Sequence, residues 1–455
     1  MIRDAYFEWM VTTVIAAPAA SFFALAAPWL FGREPSEALA RSIVKLGNVA
    51  SLIAAVAVGG ALAAGVPVPD DVELGTWFGT GDYEFVVGFH VDAVSATMMV
   101  LVAFVTGLIG HFSTRYLHGQ KGFVRFFLLL ALFATGMQLL VSAASIDQLF
   151  LGWELVGLTS ALLVAYFQER RAPVEGGLRV FVTYRLCDLG LLIGAVLLHQ
   201  TSGTSDLARA PEAMRAHAGT ATTLVPLLLL LAAMGKSAQF PFGAWLPRAM
   251  EGPTPSSALF YGALSVHAGV YLLVRAQPLF AASAAATIAL GAVGAVTALH
   301  ATLVGRVQTD AKSALAYATM TQVGVMLVEI ALGATTLALV HLVSHALLRC
   351  FQMLRVPSTL RDARAAAIAA VRERGAFARR LPGPLAAWLY RLSLERFGLE
   401  AIFDRAFVAP IFALGNALDR AERRWMALLA GIERPGAPPA GPAQAPAEAR
   451  VMGKR

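Results

Sequence analysis

The sequence predicts an all-α polytopic membrane protein with about eleven transmembrane helices, one of which is broken within the bilayer or close to it. Of the 455 residues, 57% are hydrophobic and only 14% are charged, whereas soluble domains carry roughly 25% charged residues. Apolar runs close to the ~20 residues that a membrane span requires recur along the chain. Because a backbone exposed to lipid must satisfy its own hydrogen bonds, we expect these runs to be helices.

Eleven apolar runs are long enough to cross a bilayer. They lie at 9–31, 43–65, 88–112, 122–143, 146–167, 180–199, 222–241, 256–278, 283–305, 312–332 and 334–354. Basic connecting loops, such as 32–42 and 168–179, alternate with acidic or neutral loops, such as 66–87. The positive-inside rule then predicts a multi-pass protein of the cell inner membrane with its N-terminus outside and its C-terminus in the cytoplasm.

The spans divide the chain into four predicted regions. Residues 1–85 hold the first two spans, and residues 86–355 form the transport core. Residues 356–434 combine an Arg-rich stretch with an amphipathic helix at 396–430, which is too charged to span and is expected at the cytoplasmic surface or against a partner subunit. The Pro- and Ala-rich tail, 435–455, is predicted to be disordered.

Several classes of function are excluded by composition and motifs. The net charge of +7 resides in short loops, where membrane topology explains it without a nucleic-acid partner. Cys187 and Cys350 lie in apolar segments far apart, so neither a disulfide nor a metal site is expected. The sequence contains no Gly-rich phosphate fingerprint and no cysteine set for a cluster. We therefore expect no cofactor and no catalytic site in this chain.

Charged residues inside apolar spans are the candidates for function. Glu154 lies in the middle of a span, in FLGWELVGLTSALL. A charge at the bilayer centre costs at least ~2.5–3.5 kcal/mol on insertion scales, so it indicates a polar pathway or a paired partner. Arg185 and Asp188 are one turn apart in VTYRLCDLG, and an internal ion pair that holds two helices together explains them as well as transport does.

Lys236 immediately precedes a proline-rich stretch in GKSAQFPFGAWLPRAMEGPTPSSAL. Proline removes a backbone donor and clashes with the preceding turn, so the helix is predicted to break there. The prolines of the break are Pro241, Pro247, Pro253 and Pro255. Broken helices in transporters expose backbone groups to a buried ion path. A carboxylate such as Glu154 beside Lys236 would hold a proton on the ammonium, and its withdrawal would release that proton.

The last span carries a further set of candidates. His341, His345 and Arg349 recur at intervals of four in HLVSHALLR, on one helical face. Histidine is a natural proton relay, whereas an arginine that stays charged acts as an electrostatic gate. No third ligand accompanies the two histidines, so no metal is predicted. Lys312, beside Asp310, is either a member of the pathway or an interfacial lysine that extends its ammonium to water.

These segments together resemble one family. GFHVDAVSATMMVLVAFVTGLIGHFSTRYLHG, FLGWELVGLTSALL, the Lys236 segment, QTDAKSALAYATMTQVGVM and HLVSHALLR follow in that order over residues 85–355. The sequence is similar to the proton-conducting membrane subunits of respiratory complex I and of Mrp-type cation/proton antiporters, most of all to the NuoL/MrpA branch. The resemblance implies two inverted five-helix repeats, each with a broken helix. It also implies that Glu154 modulates Lys236 and that His341 and His345 belong to a hydrated central axis.

The chain departs from this family pattern in three places. Tyr261 stands where the family commonly has histidine, and Arg349 stands where it commonly has lysine. The spans end at about residue 355, so we expect an antiporter-like fold with a truncated second repeat and an intact first half-channel.

Three functions remain open from the sequence. The first is a proton-translocating subunit of a complex I-like or Mrp-like assembly, resembling subunit L of NADH-quinone oxidoreductase, with other membrane subunits as partners. The second is the proton-conducting subunit of a two-component inorganic-carbon transporter, with a large, soluble, zinc-dependent, carbonic-anhydrase-like partner. The third is a membrane scaffold that does not conduct.

Overall fold

A computed structural model describes residues 2–67, 69–81, 83–216, 219–367 and 383–429. The helices before the break are α1 Ile2–Leu30, α2 Glu37–Ala63, α3 Ala93–Tyr116, α4 Phe123–Ser142, α5 Ile146–Val164, α6 Arg171–Ser202, α7 Ala210–Ala216 and α8 Ala221–Lys236. Those after it are α9 Trp245–Arg248, α10 Thr254–Ser257, α11 Ser265–Arg275, α12 Gln277–Ala281, α13 Ala284–Gly305, α14 Ala311–Ala331, α15 Thr335–Ala367, α16 Gly383–Leu394, α17 Leu399–Phe403 and α18 Ala409–Leu429.

In the described part of the chain, ten helices are long and apolar enough to cross a membrane. The chain is therefore a multi-pass membrane protein, and the predicted all-α class is confirmed. The one remaining predicted span, 222–241, is observed as the 16-residue apolar helix α8, which stops at Lys236.

The connecting loop predicted at 66–87 contains two strands that the sequence analysis did not predict. Strands β1 (Asp71–Thr80) and β2 (Tyr83–His90) form an antiparallel hairpin there. Both strands are rich in aromatic or β-branched residues, which favour extended backbone. Since β2 runs to His90, the span predicted at 88–112 begins later, at Ala93.

The start of α3 is fixed by its cap. The Asp92 carboxylate accepts a hydrogen bond from the Ser95 amide at 2.8 Å, and the Ser95 hydroxyl accepts one from the Asp92 amide at 2.8 Å. This reciprocal pair satisfies backbone donors that a helix terminus leaves free.

The segment from Thr254 to Arg275 lies at the centre of the bundle. Its most apolar 18-residue window is completely buried, and α10 joins α11 through a π-helical turn, Ala258–Ala263. A helix that is apolar on all sides is expected in such a core. The candidate site residues are arranged around this central segment.

The chain forms two compact units, which divide after Glu400. In the second unit, a π-helical turn at Asp404–Val408 leads into α18. Ile411, Leu414 and Leu418 of α18 are exposed apolar residues. The amphipathic helix predicted at 396–430 is thus observed as helical turns and α18. Residue 430, the predicted disordered tail 435–455 and the Arg-rich residues 368–382 lie outside the described residues.

Candidate proton pathway

The break after α8 brings Lys236 into the protein interior. Lys236 is fully buried in the last turn of the helix, where the negative end of the helix dipole stabilises a cation. The next turn reverses the backbone: Ala238 has a φ of 53°, and the Gln239 amide donates to the Met234 carbonyl at 2.8 Å. The Gly235 carbonyl accepts a hydrogen bond from the Trp245 indole at 3.0 Å. The Met234 and Gly235 carbonyls at the end of the helix are therefore satisfied inside the bundle.

All four predicted prolines lie in or beside this break. Pro241 precedes a 3-10 turn at Phe242–Ala244, and Pro247 lies within α9. Pro253 caps α10 and Pro255 lies in its first turn. At each of these positions a backbone amide is not needed for an intrahelical hydrogen bond, or the loss of that hydrogen bond is tolerated. The predicted broken helix is therefore present at the predicted residues.

The Lys236 ammonium is held by a carbonyl and two aromatic rings. It donates to the Trp153 carbonyl at 3.1 Å and lies 4.7 Å and 4.2 Å from the ring centroids of Trp153 and Tyr184. Such faces stabilise a desolvated cation. The approach depends on Gly157, where an added Cβ would lie 2.8 Å from the ammonium nitrogen. The pocket thus accommodates a cation without direct contact to a carboxylate of the described residues.

Glu154 is bound by an arginine rather than by this lysine. Its carboxylate pairs with Arg185 of α6, and Arg185 also binds Asp188 at 2.9 Å. Asp188 in turn accepts a hydrogen bond from the Trp153 indole at 2.5 Å. The predicted Arg185–Asp188 pair is present, but it lies within one helix. The links between the two helices are the Arg185–Glu154 pair and the Trp153–Asp188 hydrogen bond.

The two cations nevertheless lie close together. A Cβ added to Gly157 would be 3.5 Å from an Arg185 terminal nitrogen and 2.8 Å from the Lys236 nitrogen. Glu154, one turn before this glycine, pairs with Arg185. The geometry therefore sets two cations near the carboxylates of Glu154 and Asp188, both of which pair with the arginine.

A second group of polar side chains connects α11 to α15. His267 Nδ1 lies 2.8 Å from the Ala263 carbonyl, His267 Nε2 lies 2.9 Å from His345 Nδ1, and Arg349 Nε donates to His345 Nε2 at 3.1 Å. A carbonyl can only accept and an arginine can only donate. With both rings neutral, the protons must therefore all point from Arg349 towards Ala263, which makes a directional wire.

The remaining predicted residues have other partners. His341 lies 2.9 Å from a Glu329 oxygen and 3.1 Å from the Gln322 side-chain oxygen, and its ring centroid is 6.2 Å from that of His345. Lys312 donates at 3.4 and 3.5 Å to the backbone carbonyls of Met250 and Gly252. These carbonyls belong to the broken stretch, so Lys312 is placed at its end and away from the histidine wire.

Glu400 is a residue of the site that the sequence analysis did not identify. It joins the end of the first compact unit to the broken stretch after α8. Glu400, 15% exposed, pairs with Arg179 at 2.9 Å, with Arg396 at 2.7 Å and with Arg248. Burial of the Glu400 carboxylate raises its pKa, but the hydrogen bond and charge of Arg248 and the charges of the other two arginines outweigh burial, and the pKa is lowered. The only signal in the sequence was a charge in an amphipathic stretch.

A cavity of about 410 Å³ opens beside the hairpin. Arg275 donates two hydrogen bonds, at 2.5 and 2.8 Å, to the Asp92 carboxylate. Burial raises the pKa of Asp92, but the hydrogen bonds and charge of Arg275, helped by the Ser95 amide, lower it to about 2. Tyr271, which also lines the cavity, is one helical turn from His267. The cavity therefore approaches the histidine wire.

A bundle of spanning helices, a helix broken at a buried lysine and a chain of intramembrane ionisable groups define an antiporter-like membrane transport subunit. The sequence matches the family model for the membrane region of NADH:quinone oxidoreductase and Mrp antiporters over residues 143–391. It also matches the model for the N-terminus of chain 5 of complex I, over residues 77–127. The chain belongs to this NADH:quinone oxidoreductase/Mrp antiporter family, which confirms the resemblance seen in the sequence.

Curated relatives include complex I subunits from several lineages. The chain is 35% identical over 344 residues to NADH-quinone oxidoreductase subunit L of Neisseria meningitidis, which covers 73% of this chain and 51% of the relative. It is 36% identical over 276 residues to NAD(P)H-quinone oxidoreductase chain 5 of Synechocystis sp., covering 59% of this chain and 40% of that relative. The chain thus spans about half the length of these relatives.

Two solved structures share the fold. A chain of the Mrp complex from Dietzia sp. superimposes with a TM-score of 0.64 at 28% identity, over 84% of this chain and 43% of that chain. A chain of the membrane-bound sulfane sulfur reductase, an archaeal respiratory membrane complex, gives a TM-score of 0.66 at 20% identity, over 86% of both chains. The second likeness shows the fold alone.

Proposed function

We propose that this chain is a proton-translocating membrane subunit of a complex I-like or Mrp-like energy-coupling assembly. The observation that carries the proposal is Lys236: a fully buried ammonium at a helix break, with no carboxylate in direct contact but with the Glu154–Arg185 pair beside it. A buried charge of this kind in a membrane span favours a role in an ion pathway.

The central step is an exchange of partners by Glu154. When its carboxylate turns from Arg185 towards Lys236, it stabilises the protonated amine. When it returns to Arg185, Lys236 keeps only the Trp153 carbonyl and the two aromatic faces as partners, and the loss of the carboxylate in this fully buried position shifts the balance towards the neutral amine. Asp188 keeps Arg185 partly neutralised throughout, through the 2.9 Å contact, so the arginine is not left as an unpaired charge. Lys236 thus takes up and releases one proton for each exchange.

The onward path is supported by buried polar atoms beyond the break. The side-chain oxygens of Gln239, Ser257 and Tyr261 are buried and have no hydrogen-bond partner among the described residues. Buried polar groups of this kind are normally satisfied by internal water. They lie on the segments that connect Lys236 to α11, and they support water-assisted transfer to the His267–His345 wire.

His267 can relay a proton by accepting it from internal water at Nε2, which breaks the hydrogen bond from the His345 Nδ1–H, and by returning it from Nε2 to water when that bond re-forms. The Ala263 carbonyl at His267 Nδ1 cannot take up a proton, so transfer does not continue in that direction. Arg349 keeps its charge and repels a proton from its end of the wire. The cavity at Tyr271 and Asp92 is the proposed opening on the hairpin side, which the positive-inside rule places outside, opposite the cytoplasmic C-terminus.

The partners follow from the family. We propose that the chain assembles with other membrane subunits, as an NADH-quinone oxidoreductase or an Mrp antiporter does. Any redox chemistry would then belong to the assembly, and this chain would need no catalytic site. The inorganic-carbon transporter subunit and the scaffold stay predictions, because nothing in the described residues favours them.

The test of this proposal is mild extraction of the chain from the membrane and purification through a tag, followed by mass spectrometry of the co-purifying proteins. Quinone-reductase or antiporter subunits, together with proton movement driven by the assembly, are the expected result. A single large soluble zinc protein would overturn it in favour of inorganic-carbon transport. If membrane subunits co-purify but Lys236→Ala leaves proton movement unchanged, the result would instead indicate that the chain is a scaffold.

A further inference from the structure

A groove between α2 and α3 lies outside the pathway described above. It encloses a cavity of about 840 Å³, and its walls come from one face of each helix. On α3 the floor is formed by Gly107 and Gly110. A Cβ added to Gly107 would approach no described atom closer than Asn48 Cβ, at 3.9 Å. The missing side chain of Gly107 thus leaves the space between the helices open, whereas Gly110 packs against Leu130, which a Cβ there would approach to 3.4 Å.

One end of the groove is strongly basic. Arg41 and Lys45 of α2 and Arg115 of α3 line it and are exposed. No ion pair joins any of them to an acidic residue of the described chain. The nearby Glu37 is engaged elsewhere: it binds His118 Nδ1 at 2.7 Å and accepts from the Gly119 amide at 3.0 Å. The three cations therefore form a site for a negatively charged group.

The other end of the groove is apolar. Leu52 of α2 and Phe104 and Leu108 of α3 line it, and both α3 side chains are at least 40% exposed. From Arg41 to Leu52 the helix rises about 16 Å. The hydrocarbon region of one leaflet is about 15 Å deep. The basic end thus lies at headgroup level, where loops 32–42 and 113–121 also place their charges, and the apolar end reaches the middle of the bilayer.

We propose that this groove binds one anionic phospholipid, with its phosphate at Arg41, Lys45 and Arg115 and an acyl chain along Phe104 and Leu108. Charge selects the occupant. A zwitterionic lipid carries a compensating ammonium that three unpaired cations repel. An apolar helix from another subunit would leave those cations unneutralised. Basic pockets between transmembrane helices bind anionic headgroups for this reason.

The test is lipid titration of the full chain, purified with its co-purifying subunits and stripped of lipid, with bound lipids counted by native mass spectrometry. We expect one phosphatidylglycerol to bind the wild type with higher affinity than phosphatidylcholine. The triple variant Arg41→Gln, Lys45→Gln, Arg115→Gln should weaken phosphatidylglycerol binding roughly tenfold or more. A matched control that neutralises Arg33, Lys121 and Arg391, which are exposed and do not line the groove, should bind as the wild type does.

A second variant tests the acyl-chain end without a change of charge. Gly107→Leu places an alkyl side chain in the open space and should also weaken phosphatidylglycerol binding. Equal binding of the two lipids, or unchanged binding in the triple variant, would overturn the proposal. Glycerol phosphate that binds as tightly as the intact lipid would show an anion site without an acyl-chain site, and would overturn it too. So would a subunit helix that cross-links to Leu108 and excludes lipid.

Discussion

The ammonium of Lys236 donates a hydrogen bond to the backbone carbonyl of Trp153 at 3.1 Å. This contact sets the buried cation against the residue that directly precedes Glu154, whose carboxylate is bound by Arg185. In the proposed mechanism the lysine and the arginine compete for the Glu154 carboxylate, so that the proton affinity of Lys236 depends on the position of the Glu154 side chain.

Glu154→Gln should leave the protein assembled and reduce proton movement by roughly tenfold or more. The amide removes the charge that exchanges between Arg185 and Lys236. Glu175→Gln is the matched control, because the Glu175 side chain is 44% exposed and its one ion pair within the described residues is with Arg171, four residues away. Proton movement in vesicles, normalised to the amount of assembled protein, checks both variants. Full activity of Glu154→Gln would refute the exchange.

Arg349→Lys should retain more proton movement than Arg349→Ala. Lysine keeps the positive charge at the end of the wire, although it loses the joint contacts of Arg349 with His345 at 3.1 Å and with Gln352 at 2.7 Å. The pair of variants therefore separates charge from geometry. Equal loss in both variants, measured in the same vesicles, would mean that geometry and not charge is required there.

Asp92→Asn should destabilise the protein at neutral pH by about 1 kcal/mol. The pKa of Asp92 is lowered from 3.8 to about 2 in the folded state, and the side chain is 34% exposed, so the pairing energy is reduced by solvent. A lowered pKa stabilises the fold above pH 4, and this stabilisation is lost as the pH falls from about 4 to 2.

The measurement is the thermal unfolding of detergent-solubilised protein at several pH values. The difference in melting temperature between wild type and Asp92→Asn should shrink as the pH falls from 4 to 2. Asparagine can still cap α3, so the variant isolates the charge pair with Arg275. Asp70→Asn, at an exposed carboxylate nearby, is the control. A difference that does not vary with pH would contradict the assignment.

Glu400→Gln should loosen the segment that precedes it. The variant removes the charge that three arginines share, and hydrogen bonds to charged groups contribute about 1.5–3 kcal/mol each. Amide hydrogen exchange over residues 383–400 should become roughly tenfold faster. Glu395→Gln changes an exposed carboxylate in the same segment and should leave exchange unchanged. Equal protection in Glu400→Gln and the wild type would show that the arginines do not hold this segment.

The sequence predicted those features that depend on local pattern. Hydropathy predicted the spans, and the prolines after Lys236 predicted the break, because both act within one stretch of chain. The hairpin was not predicted, because both of its strands lie in a segment that was interpreted only as an acidic connecting loop. The spacing of Arg185 and Asp188 predicted an ion pair that joins two helices, whereas the observed pair lies within one helix and Arg185 reaches the other helix through Glu154.

Contacts between distant segments could not be predicted in this way. Glu400 meets Arg179 across 221 residues, and His267 meets His345 across 78. A lone histidine in a span, such as His267, is more often a core residue than a relay. Its role became a proposal only when the packing of α11 against α15 placed the two rings together. The choice of Arg185 over Lys236 as the partner of Glu154 likewise depends on the packing of three helices.

The most direct test of the account is proton movement in inverted membrane vesicles that hold wild-type protein or Lys236→Ala. The vesicles are energised by NADH or by a sodium gradient, according to the subunits that co-purify, and a pH-sensitive dye reports proton movement. The account predicts that Lys236→Ala abolishes the dye response, that Lys236→Arg fails as well because arginine stays charged, and that Lys312→Ala retains the response. A full response in Lys236→Ala, at equal protein levels, would contradict the claim that protons pass through Lys236.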